Sequence, residues 1–500
     1  MHRRIARRGN TAARDERQES ERLESTDDAG EPELTGTRPR EEGRRIMEPQ
    51  EGKMEGTSRS QPISTKRERI AELARQMPGK AMTSLSQHMD LAWLHEAHRC
   101  TRKDGATGVD GTTADEFATE LENNLRGLLD AAKSGNYRAP PVRRVHIPKG
   151  SGSKTRPIGI PTYADKVLQR AVLMLMEPVY EQDFYDFSYG FRPGRSAHDA
   201  LESLNEQLWA MRGGGWVLDV DIRGFFDSLD HEQLRNLLRQ RVTDGVVVRL
   251  VGKWLRAGVL DGGVVHRTDT GTPQGGVISP LLANIYLHTV VDEWWVKEVQ
   301  PRLRGASFMI RYADDFVLVF ADREDALRVQ EVLPQRLARY GLSLHPDKTR
   351  LVDFRRPNDN GDGPSPGGFD FLGFNHHWGR SRQGKWYPQR GTAKSRFSRA
   401  CKSLNAWMRS ARHLPLNEQA KTLGAKLRGH YQYYGLSGNS SGIGRFLYLA
   451  RRLWRKWLSR RSQRGRLTWQ DFANLERRHP LPPARLPRRV GRMQPRYANP

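Results

Sequence analysis

The chain has 500 residues, enough for two or three domains, and its 83 Lys and Arg residues against 58 Asp and Glu residues give a formal net charge of +25. This charge is too large for an ordinary enzyme and indicates a polyanionic partner. Its two cysteines exclude a disulfide framework and a cysteine zinc site, and the lack of a signal peptide or membrane-spanning apolar run predicts a cytoplasmic protein.

An N-terminal extension precedes the predicted domains. Residues 1–60 contain no Phe, Trp or Tyr and are dense in Arg, Glu, Ser and Thr. They can bury little apolar surface, so we expect disorder over residues 1–65. Apolar spacing then predicts helical structure over 61–100, 164–182 and 231–260.

Two loops carry candidate nucleotide contacts. Lys154 and Arg156 are basic residues in a glycine-bearing loop that suits triphosphate oxygens, and Arg156 is favoured because a guanidinium can bind two oxygens at once. A solvated hairpin tip is the alternative. Gly and Pro around Gln274 let the backbone approach a nucleotide or template closely, unless this is an ordinary loop.

A strand with acidic residues on one face is predicted at 216–222. Apolar and acidic residues alternate there with the period of two that is typical of a half-buried strand, so Asp219 and Asp221 share a face. Gly224 indicates a tight turn after the strand. A solvated strand face is the alternative for Asp219, whereas a functional role is favoured for Asp221.

The sequence Tyr312-Ala313-Asp314-Asp315 leads into a β-branched and aromatic run at 316–320, which predicts a buried strand after a turn. Adjacent carboxylates repel each other and need a cation, and hard oxygen ligands favour Mg²⁺. If the strand at 216–222 lies alongside, Asp221 joins them around two metal ions, which would clamp the attacking and leaving oxygens of a phosphoryl transfer. The alternative is a β-turn that merely contains two aspartates.

Positive charge is concentrated near the C-terminal end. Residues 380–500 hold 29 Lys and Arg against 3 Asp and Glu, whereas residues 61–379 hold 41 of each. Aromatic residues such as Trp407, Trp454 and Trp457 are interleaved with the basic ones, which is rare in disordered tails. We therefore expect a folded RNA-binding domain rather than a solvated tail, with an extended Pro- and Arg-rich end.

Seven motifs, some of which contain residues described above, occur along the chain in the order expected for a known family. Through them the chain resembles the reverse transcriptase/maturases of group II introns. The motifs lie at 103–110, 147–161, 189–198, 221–227, 271–284, 345–349 and 369–374. The resemblance implies an α+β fold: right-hand polymerase fingers and palm with an antiparallel palm sheet, followed by an α-helical thumb and maturase domain. The expected segments are a disordered extension (1–65), fingers and palm (66–375), a basic thumb and maturase domain X (376–478) and a tail (479–500).

The resemblance also assigns roles to residues. It implies that Asp221, Asp314 and Asp315 are catalytic, with two Mg²⁺ ions held at Asp221, Ile222, Asp314 and Asp315. It implies contacts with nucleotide or template at Lys154, Arg156, Phe226, Gln274 and Lys348. In similar polymerases an aromatic residue at the position of Phe226 blocks a ribose 2′-OH, although a core Phe is an equal and compatible explanation. Lys348 is expected near the active site, with a salt bridge to Asp347 or a surface position as alternatives.

The C-terminal region resembles domain X. RNA contacts are expected at Arg428, Tyr431, Tyr433, Tyr434, Arg451, Arg452, Arg455 and Lys456. The tyrosines would stack on bases, and the basic helix would follow phosphates. The alternative for the tyrosines is a helix that packs them in a core.

The predicted function is an RNA-directed DNA polymerase that copies intron RNA into cDNA and binds that RNA to assist splicing and mobility. Its expected partners are intron RNA, a DNA primer or target, and dNTPs, with no membrane and with a homodimer as one option. Alternatives are a domesticated reverse transcriptase of a defence, retron or diversity-generating system, a splicing-only maturase, and an RNA-directed RNA polymerase, which Phe226 argues against. Because no paired cysteines follow domain X, no HNH endonuclease domain is expected, and priming would come from a nick or a replication-fork end. The adjacent His376 and His377 are not expected to bind metal.

Overall fold

The structure, a computed structural model, describes residues 62–148, 155–266, 270–271, 275–358, 367–462 and 465–486. The predicted extension therefore lies outside the described residues except for its last four positions, and so does most of the predicted tail. Lys154 and Gln274 also lie outside them. No helix in the described ranges is long and apolar enough to cross a lipid bilayer.

The described residues form a mixed fold of helices and mainly antiparallel sheets. The helices of the first half are α1 to α9 (Ile63–Gln76, Leu91–Arg99, Ala114–Thr119, Leu121–Ser134, Tyr163–Tyr180, Ala197–Ala210, Phe225–Ser228, His231–Arg241 and Gly245–Leu255). Those of the second half are α10 to α15 (Ser279–Leu287, Arg323–Ala338, Lys394–Ser410, Leu416–Tyr434, Ser440–Leu458 and Trp469–Arg478). The strands are β1 to β11 (Val142–Pro148, Thr155–Ile160, Gly214–Asp221, Val259–Asp261, Val264–His266, Ser307–Tyr312, Asp315–Phe320, Arg350–Arg355, Phe369–Phe371, Phe374–Arg380 and Trp386–Thr392).

A four-stranded antiparallel sheet, in the order β6-β7-β3-β8, positions the acidic residues. Side chains alternate across it, as the period of two requires. Leu218 and Val220 of β3 face the larger core with helices α5, α8 and α10, whereas Val217 faces a second core formed with α6 and β9–β10. The predicted strands at 216–222 and 316–320 are thus confirmed.

Two other sheets complete the strand structure. One has the order β2-β1-β4-β5, in which only β1 and β4 are parallel. The other has the order β11-β10-β9 and is antiparallel. After it, helices α12 to α15 surround a separate core that includes Leu423, Trp454 and Phe472.

Two of the predicted helical stretches are interrupted. The helical stretch at 231–260 is two helices, because the Asp244 side chain accepts hydrogen bonds from the amides of Val246 and Val247 and so begins α9, and residues from Val259 onward form β4. The expected domain boundary at 375 lies within β10, and the next helix, α12, begins at Lys394. The division of the chain into these domains stays a prediction. Within 61–100, Met82 is not helical but forms a bridge with Val242.

Candidate active site

Two acidic residues face each other across neighbouring strands. In the register of β3 and β7, Asp221 is opposite Asp315. The alternation that buries Leu218 on one face puts Asp219 and Asp221 on the other, with Asp315. The sequence prediction that Asp221 joins the acidic pair at 314–315 therefore agrees with the strand register.

Asp314 lies in the tight turn between β6 and β7. Tyr312 pairs with Asp315, so Ala313 and Asp314 form a two-residue hairpin turn. Ala313 has a φ of 57°, a left-handed conformation that is strained for a residue with a Cβ. Gly190 packs closely against this turn: a Cβ at residue 190 would lie 2.3 Å from the Ala313 nitrogen.

The carboxylates in this cluster destabilise one another's charge. Burial, reinforced by Asp219, Asp314 and Asp221, raises the pKa of Asp315 to about 7. Burial also raises the pKa of Asp314, while the nearby Arg156 acts in the opposite direction. A cation placed beside these carboxylates would favour their charged forms, because opposite charge offsets both burial and mutual repulsion.

Lys348 is the direct partner of Asp221. Its Nζ lies 2.9 and 2.8 Å from the two carboxylate oxygens, and the loop before β8 is held there because the His345 amide donates to the Asp221 carbonyl oxygen at 2.8 Å. Lys348 thus lies beside the candidate site, as expected. It forms its ion pair with Asp221 rather than with Asp347.

The donor set fits a hard divalent cation, although the side chains are not gathered into a metal site. Among the described residues, no group of three or more His, Cys, Asp or Glu side chains is placed to hold a metal ion. Asp221, Asp314 and Asp315 supply the carboxylate oxygens that Mg²⁺ prefers. Ile222, the fourth expected ligand, is buried and bridges to Leu344.

A buried polar network that the sequence analysis missed supports the turn. Arg311 and Asp292 are both fully buried and form a two-pronged ion pair, with Nε to Oδ1 at 2.7 Å and Nη2 to Oδ2 at 2.5 Å. Arg311 also donates to Asn284 at 3.0 Å and to the Ala313 carbonyl at 3.1 Å, and Asn284 donates to the Gly190 carbonyl at 2.7 Å. The sequence signal that could have indicated this network is an arginine within an apolar strand, because a buried charge needs a buried partner.

The other expected nucleotide contacts are partly described. Arg156 is exposed on β2, close enough for its charge to act on Asp314. Phe226 packs edge-on against Phe225, with ring centroids 5.3 Å apart, and is half-buried. Gly275 has a φ of 121°, and a Cβ there would lie 2.5 Å from the Gly159 carbonyl oxygen, so the loop after Gln274 closes onto β2.

The predicted RNA contacts divide into exposed and packed residues. Arg428, Arg452 and Lys456 are exposed. Arg451 is paired with Glu476, and Arg455 donates to the Leu467 carbonyl oxygen at 3.0 Å and lies over the Trp469 ring.

The expected stacking of tyrosines on RNA needs correction for Tyr431. Tyr431 is only 5% exposed within the core of the helical region, so its ring has no free face for a base. Tyr434 packs against Phe374 with ring centroids 5.4 Å apart, and the Tyr433 hydroxyl donates to the Leu372 carbonyl at 2.8 Å. Tyr433 and Tyr434 thus join the helices to the strand β10 and its turn. Tyr433 is 37% exposed, so its stacking on RNA stays a prediction, whereas Tyr431 follows the packing alternative.

Comparisons with known proteins show which family the chain resembles. Residues 147–376 match the family of reverse transcriptases (RNA-dependent DNA polymerases). The chain is 38% identical over 331 residues to the Protein YkfC of Escherichia coli, which covers 59% of this chain and 82% of that protein. It is 38% identical over 225 residues to the group II intron-encoded protein LtrA of Lactococcus lactis, but this covers 44% of the chain and only 37% of LtrA. A nuclear intron maturase of Arabidopsis thaliana is 29% identical over 130 residues, a quarter of this chain.

Proposed function

The chain belongs to the reverse transcriptase (RNA-dependent DNA polymerase) family, in the class that group II introns encode, and we propose that Asp221, Asp314 and Asp315 are its catalytic carboxylates. The observation that carries this proposal is the cross-strand pairing of Asp221 with Asp315 beside the Asp314 turn. Two paired strands and a tight turn fix the backbone positions of the three residues. This supports the proposal, because phosphoryl transfer needs metal ligands whose positions are set in advance.

The proposed reaction joins a primer to a nucleotide. The primer 3′-oxygen loses its proton and forms a bond to the α-phosphorus of a dNTP, and the bond from that phosphorus to the bridging oxygen breaks, so that pyrophosphate leaves. Mg²⁺ held by the three carboxylates would neutralise charge on the reacting oxygens. The exposed guanidinium of Arg156, whose charge already acts on Asp314, would bind the triphosphate oxygens.

Lys348 has a distinct proposed role in this site. Its ammonium group, half-exposed, neutralises Asp221 when no other cation is near. The same group is free to turn towards the phosphates once Asp221 has another partner, because a lysine side chain is flexible and acts as a point charge. Phe226, at the edge of the site, would exclude a ribose 2′-OH and so select dNTPs.

We further propose that intron RNA is the template and that the helical C-terminal region grips it. The relatives named as a group II intron-encoded protein and as an intron maturase support this assignment over a defence, retron or diversity-generating system. Exposed Arg452 and Lys456, on one helix of the most basic part of the chain, would contact phosphates. A homodimer remains a prediction.

The experiment is primer extension on an RNA template with Mg²⁺ and dNTPs. We expect Asp314→Asn combined with Asp315→Asn to abolish extension while RNA affinity stays that of the wild type. Unchanged extension by this double variant would refute the site assignment. Extension by neither protein, together with tight salt-sensitive RNA binding, would favour a splicing-only maturase.

The RNA-binding surface is tested separately. Arg452→Gln combined with Lys456→Gln is expected to weaken RNA binding. It should also reduce the slope of log K against log salt concentration by about two, because each lost phosphate contact leaves its counterions on the RNA. Arg99→Gln, which removes an exposed arginine of α2, is the matched control and should bind RNA like the wild type. Equal binding by all three proteins would place the RNA elsewhere.

A further inference from the structure

Phe191 is an exposed aromatic residue on strained backbone beside the candidate active site. Its φ is 58°, and the residue is 55% exposed. A bulky residue in this region of φ is a genuine outlier, and such strain persists only where the surroundings impose it. A glycine would adopt the same backbone without strain, so the ring itself needs an explanation.

Both neighbours of Phe191 hold it in this conformation. Gly190 lies against the backbone of Tyr312 and Ala313 and accepts a hydrogen bond from Asn284 at 2.7 Å. On the other side, Arg192 is 6% exposed, pairs with Glu181 at 2.9 Å, and donates to two main-chain carbonyls at 2.7 and 2.8 Å. The segment is therefore anchored at 190 and 192, and Phe191 is held outward between the anchors.

The Phe191 ring lies beside Tyr312, the residue that precedes the turn carrying Asp314. Its centroid lies 6.3 Å from that of Tyr312, at an angle of 44°. Tyr312 pairs with Asp315, which in turn pairs with Asp221. The exposed ring thus contacts a residue whose cross-strand partner is Asp315. An aromatic face that is open to water near a polymerase site is suited to stacking on a nucleobase or sugar.

We propose that Phe191 is a platform for the 3′-terminal nucleotide of the primer. The inference rests on the proposed function, because only a nucleotide-joining reaction brings a primer 3′ end to these carboxylates. By contacting that nucleotide, the Phe191 ring would limit its motion and hold the 3′-oxygen in reach of the reacting phosphorus. A strained backbone is tolerated there because the anchors at 190 and 192 leave the side chain no inward position.

Three substitutions separate the effect of the aromatic ring from the effect of the backbone strain. Phe191→Ala removes the ring and keeps the strain, Phe191→Gly removes both, and Phe191→Tyr keeps the ring. We expect the KM for primer–template to rise about tenfold in the Ala and Gly variants, the scale of one lost base-stacking contact, and to stay near the wild-type value in the Tyr variant. Trp209→Ala, which removes an exposed aromatic on α6, is the control and should extend primers normally.

The outcomes are distinct from those of the active-site test. If wild-type protein extends primers but the Ala variant has an unchanged KM, the platform is refuted while the carboxylate assignment stands. Wild-type activity in the Gly variant would also refute it, and thermal unfolding identifies any loss of activity that comes from misfolding. Because Gly relieves the strain, that variant should unfold no earlier than wild type.

A crosslink identifies which strand the ring contacts. A primer that ends in 5-iododeoxyuridine should crosslink on irradiation to the peptide that contains Phe191, and the same base placed in the template strand opposite should not. A crosslink from the template alone would overturn the assignment to the primer.

Discussion

The Arg311–Asp292 ion pair should be essential both to stability and to the shape of the catalytic turn. Both side chains are fully buried, and two hydrogen bonds join them. Asp292→Asn keeps the size of the side chain but leaves the guanidinium charge without its counter-ion. Breaking a fully buried pair in this way costs about 3–5 kcal/mol, because the remaining charge is neither solvated nor compensated.

The same substitution should slow primer extension, although the buried Asp292 side chain contacts no substrate. Arg311 donates to the Ala313 carbonyl at 3.1 Å, so a displaced guanidinium releases the turn that carries Asp314. We expect a lower kcat with little change in KM, since the carboxylates are misplaced while the substrate-binding surfaces are intact. Adding Arg311→Met should recover part of the lost stability but not the kcat, because an apolar residue needs no counter-ion and cannot hold the turn.

Urea unfolding followed by tryptophan fluorescence measures the first effect, and primer extension with purified variants measures the second. Asp104→Asn is the matched control, since it removes a carboxylate from an ion pair with Arg102 in which both side chains are exposed. It should change neither quantity. A free energy of unfolding for Asp292→Asn equal to that of wild type would refute the reasoning.

Three further predictions concern the site. Because burial and neighbouring carboxylates raise the pKa of Asp315 to about 7, the folded protein binds this proton more tightly than the unfolded chain does. Without divalent cations, stability should therefore fall as pH rises from the ordinary aspartate range to pH 7, and urea unfolding of Asp315→Asn should lack this trend. Phe226→Ala should lower the preference for dNTPs over rNTPs by about tenfold or more, measured as a ratio of kcat/KM values; an unchanged ratio would assign Phe226 to packing alone. Gly190→Ala should destabilise the fold by about 1–3 kcal/mol and slow extension, because its Cβ would lie 2.3 Å from the Ala313 nitrogen. Gly127→Ala, on a helix where a Cβ meets nothing within 4 Å, should do neither.

Local patterns were enough to predict the strands of the site. Alternation at 216–222 and the apolar run at 316–320 correspond to β3 and β7, since side-chain period and burial are properties of the strand itself. The same patterns placed Asp219 and Asp221 on one face. The proximity of Asp221 to Asp315 was conditional on the two strands being neighbours, which the register of the sheet supplies.

Contacts between distant parts of the chain were not predictable in this way. Asp292 and Asn284 lie on or beyond α10, and nothing local in the sequence shows that both meet Arg311. The buried position of Tyr431 was missed for a related reason: one sequence of basic and aromatic residues describes both an RNA-facing helix and a packed helix, and only the neighbouring helices decide between them.

The most direct test of the central claim compares two aspartates on the same face of β3. Asp221 pairs across the sheet with Asp315, whereas Asp219, two residues earlier, lies opposite Val317 and 3.4 Å from Arg350. Primer extension on an RNA template with Mg²⁺ and dNTPs should be abolished by Asp221→Asn and retained by Asp219→Asn. Extension by the Asp221 variant at the wild-type rate would contradict the account.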